Sequence, residues 1–148
     1  MLAHEAAWDA AIAPIVGKSL EELAPFAERV ALYRTSIEKV SDDARVWVAE
    51  RAGEIVGTAV ALRRTPMAVE LRDLYVVPTE WGTGVASALM RAAIGSVGAG
   101  ADEARLWVGS ANERARRFYE REGWTADGES RVSSLGHPEL RYGRRLDP

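Results

Sequence analysis

The sequence predicts an α/β domain in which helices cover both faces of one mixed β-sheet. The first observation behind this prediction is the order of the segments, namely two helical patterns, three strand patterns, and then helix, strand, helix, strand and strand. The second is length, because 148 residues are enough to bury a core and few enough for one domain. We therefore expect residues 1–148 to fold as a single domain without repeats or linkers.

Two helices are expected at the N-terminal end. The first covers residues 2–15, where large apolar side chains recur at helical spacing. The second begins at Ser19, which forms a capping-box pattern with Glu22, and extends to about residue 39. Pro25 lies inside this second segment and is expected to kink the helix, because proline cannot donate a backbone hydrogen bond.

Six strands and two further helices complete the prediction. Ala52-Gly53 separates the first two strands and is a hairpin signal. Residues 130–138 are rich in turn-forming residues and are predicted to be a loop. The strands are assigned to residues 45–50, 54–62, 68–77, 104–108, 124–126 and 139–146, and the helices with their preceding turns to residues 81–97 and 112–122.

Composition excludes several classes of function. The chain has no cysteine, which rules out disulfides, thiolate-bound zinc and a cysteine nucleophile. The net charge of −3 makes a nucleic-acid partner unexpected, and the arginines of residues 114–121 are interpreted as a solvated helix face rather than a phosphate-binding patch. His4 and His137 lack metal-ligating neighbours, so both are expected to be solvated and no metal site is predicted.

The sequence also indicates where the protein works. No apolar run reaches the ~20 residues that a membrane-spanning helix needs, and the start lacks the pattern of a signal peptide. We therefore expect a cytoplasmic protein that has no membrane partner.

The glycine turn after the third strand is the most informative motif. The strand meets Pro78, Gly82-Thr83-Gly84 follows, and an apolar helix begins at once. Glycines let a ligand approach the backbone closely, and the first helical turn offers free N–H groups at the positive end of the helix dipole. We expect a phosphate-bearing ligand at residues 81–86, although the turn alone is equally compatible with a connection that binds nothing.

A second motif lies downstream in residues 106–124, which read LWVGSANERARRFYEREGW. It combines a short strand, a helix cap at Asn112, one compact helix, and Gly123 followed by an aromatic residue. The two motifs, in this order and at this distance, resemble the Gcn5-related N-acetyltransferase (GNAT) family, and the resemblance extends over about residues 45–146. One position departs from the family pattern, because Trp81 stands where arginine or glutamine is usual.

The resemblance implies the GNAT fold, acetyl-coenzyme A as the acetyl donor, and a backbone cradle for its pyrophosphate. Family members usually begin with one more strand, which does not appear here. Either this strand is missing, or the start of the gene is placed too late, or the sheet edge is completed in another way, such as by the partner subunit of a homodimer. The residues assigned to the cofactor are Tyr75, Val76, Val77, Trp81, Gly82, Thr83, Gly84, Val85, Ala86, Asn112, Ala115 and Phe118.

Acetyl transfer to an amine also needs a base and a group that stabilises the leaving thiolate. Tyr119 shares a helix face with Ala115, Phe118 and Glu122, and the resemblance implies that its hydroxyl acts on the thiolate. Glu70 and Asp73 lie on the third strand and are expected to face opposite sides, because their parity differs. Glu70 is expected to share a face with Arg72, Leu74 and Val76, and the resemblance points to Glu70 as the base. A backbone N–H of residues 75–77 is expected to polarise the thioester carbonyl.

The acceptor is expected to be a small-molecule amine, with a peptide or protein amine as the second choice. Two other functions stay open. One is a non-catalytic acyl-coenzyme A sensor on the same fold. The other is a dinucleotide-binding enzyme, because Gly82, Gly84 and Ser87 nearly match the Rossmann fingerprint. The acidic residue of that fingerprint is misplaced, since Asp102 and Glu103 precede the next strand instead of ending it.

Overall fold

The computed structural model describes residues 2–39 and 41–147. A 3₁₀ turn, Pro78–Glu80, joins the third strand to the glycine turn. The helices are α1 (Leu2–Ala11), α2 (Ala13–Val16), α3 (Leu20–Leu23), α4 (Phe26–Glu38), α5 (Val85–Val97) and α6 (Glu113–Arg121). The strands are β1 (Ala44–Arg51), β2 (Glu54–Thr65), β3 (Ala68–Val76), β4 (Glu103–Gly109), β5 (Thr125–Val132) and β6 (Pro138–Arg145).

The six strands form one sheet in the order β1-β2-β3-β4-β6-β5. β3 and β4 pair in parallel, and the other neighbours are antiparallel. The predicted mixed α/β fold is therefore confirmed. A Rossmann sheet is mostly parallel, so this topology argues against the dinucleotide-binding alternative. Completion of the sheet beside β1 by a partner subunit stays a prediction.

Helices cover the two faces of the sheet unequally. α5 and α6 lie on one face, where the main core is built around side chains such as Met90, Leu106, Trp124 and Tyr142. α1 covers β2 and β3 on the opposite face, where its Trp8 is buried. We call these faces the α6 side and the α1 side. No described helix is long and apolar enough to cross a membrane.

Both N-terminal helices are shorter than predicted, and proline explains each interruption. The first stops at Ala11, and a separate turn of helix starts near Pro14, whose missing N–H is harmless only in a first helical turn. The Ser19 capping box is confirmed. Pro25 breaks the second helix instead of kinking it, because the residue before a proline is forced into an extended conformation, and Ala24 has φ −150° and ψ 98°.

The hairpin and the two C-terminal strands test the strand predictions. Ala52 and Gly53 both have positive φ, 51° and 81°, as a tight two-residue hairpin turn requires. The loop predicted at residues 130–138 is wrong in its first part, since β5 continues to Val132. All residues of β5 are exposed. Because the strand has no buried face, its sequence lacks the alternation of apolar and polar residues that identifies a half-buried strand.

Candidate active site

The site begins where β3 and β4 separate. Their ladder has three pairs and ends at Glu70 opposite Arg105, although both strands continue beyond that point. A cleft of about 880 Å³ opens between the diverging strands. It is lined from the α1 side by residues such as Trp8 and from the α6 side by residues such as Phe118. The gap therefore makes the sheet accessible from both faces at one place.

The glycine turn forms one rim of the cleft. Gly82 and Gly84 have φ of 78° and 92°, and open space lies above both α-carbons within 4 Å. Gly84 is the N-cap residue of α5, and no side chain caps this helix. The first intrahelical bond runs from the N–H of Ala88 to the carbonyl of Gly84, at 3.0 Å. The preceding N–H groups of α5, from Val85 onward, are therefore available to an anion.

The end of β3 supplies one backbone donor to the cleft. The N–H of Val77 donates to the carbonyl of Val56 at 2.9 Å, so it is engaged by β2 and is not available to polarise a carbonyl in the cleft. Hydrogen-bonded and non-bonded pairs alternate along an antiparallel ladder, which directs Tyr75 toward β2 as well. Val76 points the other way, toward the gap, and it alone of the three predicted donors fits this role.

Trp81 is fixed by contacts on two sides. Its indole Nε1–H donates to the carbonyl of Val76 at 2.9 Å, and its ring packs against the main core. The guanidinium carbon of Arg114, at the start of α6, lies 3.1 Å from the centroid of the Trp81 ring. Trp81 therefore ties the glycine turn to β3 and meets α6 across the mouth of the cleft.

The predicted residues of α6 lie in the cleft wall. Asn112, Ala115 and Phe118 all line it. The Oδ1 atom of Asn112 accepts from the N–H of Ala115 at 3.2 Å and caps the helix, which leaves the amide NH₂ group free to donate. Arg114, Arg117 and Arg121 are exposed as predicted, and all three also line the cleft. Arg116 departs from the prediction, because it is half-buried and donates to the hydroxyl of Tyr142 at 3.1 Å and to the carbonyl of Ser110 at 3.0 Å.

Tyr119 reaches the cleft from the α6 side. Its ring is 9% exposed and packs against the rings of Phe118, Trp124 and Tyr142, with centroids at 5.2, 6.1 and 6.5 Å. Burial, and to a smaller extent the charge of Asp73, raise the pKa of the Tyr119 hydroxyl. The hydroxyl therefore stays protonated near neutral pH and serves as a hydrogen-bond donor.

A β-bulge corrects the predicted orientation of the two carboxylates. Val60 pairs with Asp73 and the next residue of β2, Ala61, pairs with Leu71, so Arg72 is one residue too many on β3. The bulge reverses the alternation, and Glu70 and Asp73 both face the α1 side. Leu74 and Val76, which were predicted to share a face with Glu70, point instead to the core on the α6 side.

The two carboxylates have different surroundings. Glu70 lies at the closed end of the gap, and its Oε2 atom accepts a hydrogen bond from Arg64. Asp73 lies beyond the closed end, where the strands have separated, and its Oδ2 atom accepts from Arg72 at 3.1 Å. Burial raises the pKa of the Asp73 carboxyl, against the opposing effect of the Arg72 charge. Asp73 thus places a carboxylate with a raised pKa at the open part of the cleft.

Sequence reasoning missed a buried aromatic cluster on the α1 side. His4 was predicted to be solvated, but it is 9% exposed, and its Nδ1 atom lies 2.9 Å from the hydroxyl of Tyr33 on α4. Its ring also meets the Tyr75 ring edge-on, at a centroid distance of 4.3 Å. Burial, followed by the charge of Arg29, lowers the pKa of His4 to about 4. These residues are far apart in the sequence, so no local pattern predicts the cluster.

His137 is also less exposed than predicted. It lines the cleft from the loop between β5 and β6, and its Nδ1 atom is buried without a hydrogen-bond partner among the described residues. The same loop contributes Ser133 and Leu135 to the cleft. This loop and α1 therefore both border the cleft.

Comparison with known proteins assigns a family to this architecture. The model of the acetyltransferase (GNAT) family matches residues 12–124. An uncharacterized N-acetyltransferase of Mycobacterium tuberculosis is 35% identical over 126 residues, which cover 82% of this chain and 80% of that protein. Mycothiol acetyltransferase of Thermobispora bispora is 37% identical over 106 residues, which cover 65% of this chain and 36% of that protein.

Solved structures agree with this assignment. Nourseothricin acetyltransferase is 27% identical with a TM-score of 0.65, over 71% of this chain and 66% of that one. The PaiA N-acetyltransferase of Thermoplasma acidophilum, in complex with coenzyme A, is 16% identical with a TM-score of 0.74, over 98% of this chain and 89% of that one. At that identity the second likeness indicates the fold alone.

Proposed function

We propose that this chain, which belongs to the GNAT family of N-acetyltransferases, transfers the acetyl group of acetyl-coenzyme A directly to a primary amine. One observation carries the proposal. The gap between β3 and β4 is open on both faces of the sheet, with the Tyr119 phenol on the α6 side and the Asp73 carboxylate on the α1 side. An amine that enters from one face can therefore meet a thioester held from the other, as attack in a ternary complex requires.

A carboxylate of β3 takes the proton of the amine. An alkylamine with a pKa of ~10.4 is almost entirely protonated at pH 7, so a base is needed before nitrogen attacks. Family resemblance favours Glu70, whereas position favours Asp73, because both carboxylates are paired with an arginine but Glu70 lies at the closed end of the gap and Asp73 lies beyond it. We assign the role of base to Asp73. Glu70 is the alternative base, and substitution of each carboxylate in turn distinguishes the two.

The remaining groups act on the thioester. As the new C–N bond forms, the N–H of Val76 donates to the carbonyl oxygen, on which negative charge develops. As the C–S bond breaks, Tyr119 donates a hydrogen bond to the departing thiolate, and the second proton of the attacking nitrogen passes to solvent, from which the thiolate is protonated to the free thiol. Full proton transfer from the phenol is unfavourable, since an ordinary phenol is already a weaker acid than a thiol and burial raises the pKa of Tyr119 further.

The acceptor is proposed to be a small molecule with an apolar portion next to its amine. Trp8 and Ile12 of α1 border the cleft on the α1 side, and Leu135 borders it from the loop between β5 and β6. Apolar side chains at these positions favour an acceptor that loses apolar surface to water on binding. A peptide or protein amine remains the alternative acceptor.

The test is a panel of primary amines incubated with acetyl-coenzyme A, with free thiol measured continuously and acetylated product identified by mass. The panel contains alkyl and aromatic monoamines, polyamines, amino acids and short peptides. We expect thiol release that depends on the amine and matches the acetylated product one to one. Binding of acetyl-coenzyme A without transfer to any amine would favour the sensor function instead. Thiol release that is independent of the amine would indicate hydrolysis of the thioester and would also overturn the proposal.

A further inference from the structure

Arg114 and Trp81 form a composite surface at the mouth of the cleft. Trp81 precedes the glycine turn and Arg114 belongs to the first turn of α6, so the pair joins the two motifs across the opening. The guanidinium carbon lies 3.1 Å from the centroid of the indole. Contact at this distance along the ring face is a cation–π interaction, and an arginine held in this way keeps its N–H groups in the plane parallel to the ring.

The indole is a rigid support for this guanidinium. Its Nε1–H is bonded to the carbonyl of Val76 at 2.9 Å, and its ring packs against the main core, so the ring cannot turn without losing both contacts. The carboxylate nearest in sequence to the turn is Glu80, and it is already engaged by Arg51 through two contacts of 2.7 and 3.0 Å. The outer edge of the Arg114 guanidinium therefore remains free to donate.

The charge around Arg114 is not balanced by the protein. Arg121 lies two turns along α6 and also lines the cleft, and its positive charge, after burial, lowers the pKa of Arg114. Among residues 2–39 and 41–147, no carboxylate forms an ion pair with either arginine. Arg117, by contrast, has Glu113 at 3.8 Å. Two neighbouring cations without an acidic partner indicate an anionic ligand.

We infer that Arg114, held flat on Trp81, binds a phosphate group of the acetyl donor, with Arg121 as the second cation of the site. The inference rests on the proposed function and extends it. It gives Trp81 the role of a platform that positions the guanidinium, while the binding charge comes from α6. The ligand class is a phosphate ester or diphosphate, whose oxygens accept from the free edge of the guanidinium.

The experiment compares Arg114→Ala and Arg114→Lys with the wild type on three donors. Acetyl-coenzyme A has both phosphate groups, acetyl-dephospho-coenzyme A lacks the 3′-phosphate, and acetyl-4′-phosphopantetheine lacks the whole nucleotide. Arg145→Ala is the charge-matched control, because Arg145 is exposed at the far end of β6 and does not line the cleft. Steady-state KM and kcat are measured with a fixed amine, and the thermal midpoint of each variant verifies folding.

We expect Arg114→Ala to raise the KM for acetyl-coenzyme A by roughly ten- to a hundredfold, as loss of a charge-assisted hydrogen bond implies, with little change in kcat. Arg114→Lys recovers only part of this loss, because an ammonium does not stack flat on the indole. If the loss disappears with the dephospho donor, the ligand is the 3′-phosphate. If the loss persists there but disappears with the phosphopantetheine donor, the ligand is the phosphate of the diphosphate that lies next to the adenosine. If the loss persists with all three donors, the ligand is the phosphate that the phosphopantetheine donor keeps.

The inference is overturned if Arg114→Ala leaves the KM of all three donors at the wild-type value, or if Arg145→Ala raises KM equally. Its failure is distinguishable from failure of the proposed function, because the latter predicts amine-dependent transfer by the wild type whatever residue 114 is. A Trp81→Leu and Arg114→Ala double variant adds a further test. If the indole acts through the guanidinium, the KM effects of the two substitutions do not add.

Discussion

The α6 side and the α1 side of the cleft are built by different means. On the α6 side the glycine turn, α5 and α6 pack into a continuous core, and Ser87 of α5 donates to Glu122 at the end of α6 at 2.9 Å. The α1 side depends on short helices and separate polar contacts, such as those of the buried Arg29 with Glu5 and Glu21. On α4, Leu32 is 64% exposed. In the proposed function the α6 side holds the donor, so the half with the continuous core is the one that fixes the thioester.

Loss of the phenol on the α6 side is expected to have the largest effect. Tyr119→Phe keeps the ring and its aromatic contacts, so the thermal midpoint should barely change. Loss of assistance to the leaving thiolate should lower kcat by ~10²–10⁴, with the affinity for acetyl-coenzyme A unchanged. Rapid-quench and steady-state rates test this directly. Normal turnover by the variant would make Tyr119 a packing residue only.

The carboxylates on the α1 side come next. Asp73→Asn should lower kcat/KM at pH 7 by about a hundredfold and remove the limb of the pH profile that belongs to the base. The rate of the variant should then rise only at high pH, where more free amine exists, so the deficit should shrink there. Glu70→Gln, the matched control, should retain that limb. If Glu70→Gln removes this part of the pH profile and Asp73→Asn retains it, the base is Glu70.

The same Asp73→Asn variant has a predictable effect on stability. Burial raises the carboxyl pKa in the folded state, so the folded protein loses stability as pH rises from the ordinary value of ~3.9 through the raised pKa. The variant should therefore unfold at a higher temperature than the wild type at pH 7. The difference should vanish below about pH 4, and scanning calorimetry at both pH values tests it.

Two glycine substitutions, one in the glycine turn and one within α5, test whether the turn binds the donor. Gly84 has φ 92°, so Gly84→Val strains the turn and should weaken binding of acetyl-coenzyme A by at least about tenfold in calorimetry. Gly95 lies exposed within the same helix, and a Cβ added there would have no atom within 4 Å. Gly95→Ala should stabilise the protein by roughly 0.5–1 kcal/mol and leave affinity unchanged. Equal affinity in both variants would exclude the turn from the binding site.

The smallest expected effect concerns His4 on the α1 side. Its pKa is lowered to about 4, so the unfolded chain takes up a proton below about pH 6.5 that the folded chain does not. Stability should therefore fall between pH 6.5 and 4, by roughly 1 kcal/mol at pH 5.5. His4→Asn should flatten this part of the pH–stability curve, measured by urea unfolding at several pH values. An unchanged slope would mean that another group titrates.

The sequence predicted the parts of the site that depend on local motifs and missed those that depend on a bulge or on distant contacts. Gly82, Gly84, Asn112 and Tyr119 belong to short motifs whose backbone geometry is local, and all four lie in or beside the cleft as expected. The orientation of Asp73 was not predictable, because a bulge inserts a residue into a strand whose side chains otherwise alternate. Contacts between distant segments leave no local signal either.

Arg114 and Trp81 illustrate this limit. They are far apart in the chain, and their contact exists only because β3, α5 and α6 meet at the cleft. The arginines of α6 have the spacing of an ordinary solvated helix, and the structure finds Arg114 exposed as well as in contact with Trp81. A residue can be both exposed and close to a site, and the spacing of charged residues along a helix predicts only its exposure.

The extra residue at Arg72 has a consequence for how this strand changes over evolutionary time. Because one inserted residue allows Asp73 to face the cleft while Leu71 and Leu74 stay in the core, a single-residue deletion there would exchange the two faces. Substitutions alone cannot make that exchange in one step. Insertions and deletions of one codon at this point of β3 are therefore the changes to follow in related genes. A sequence alignment that allows no gap there will pair the carboxylate of one protein with a core leucine of another.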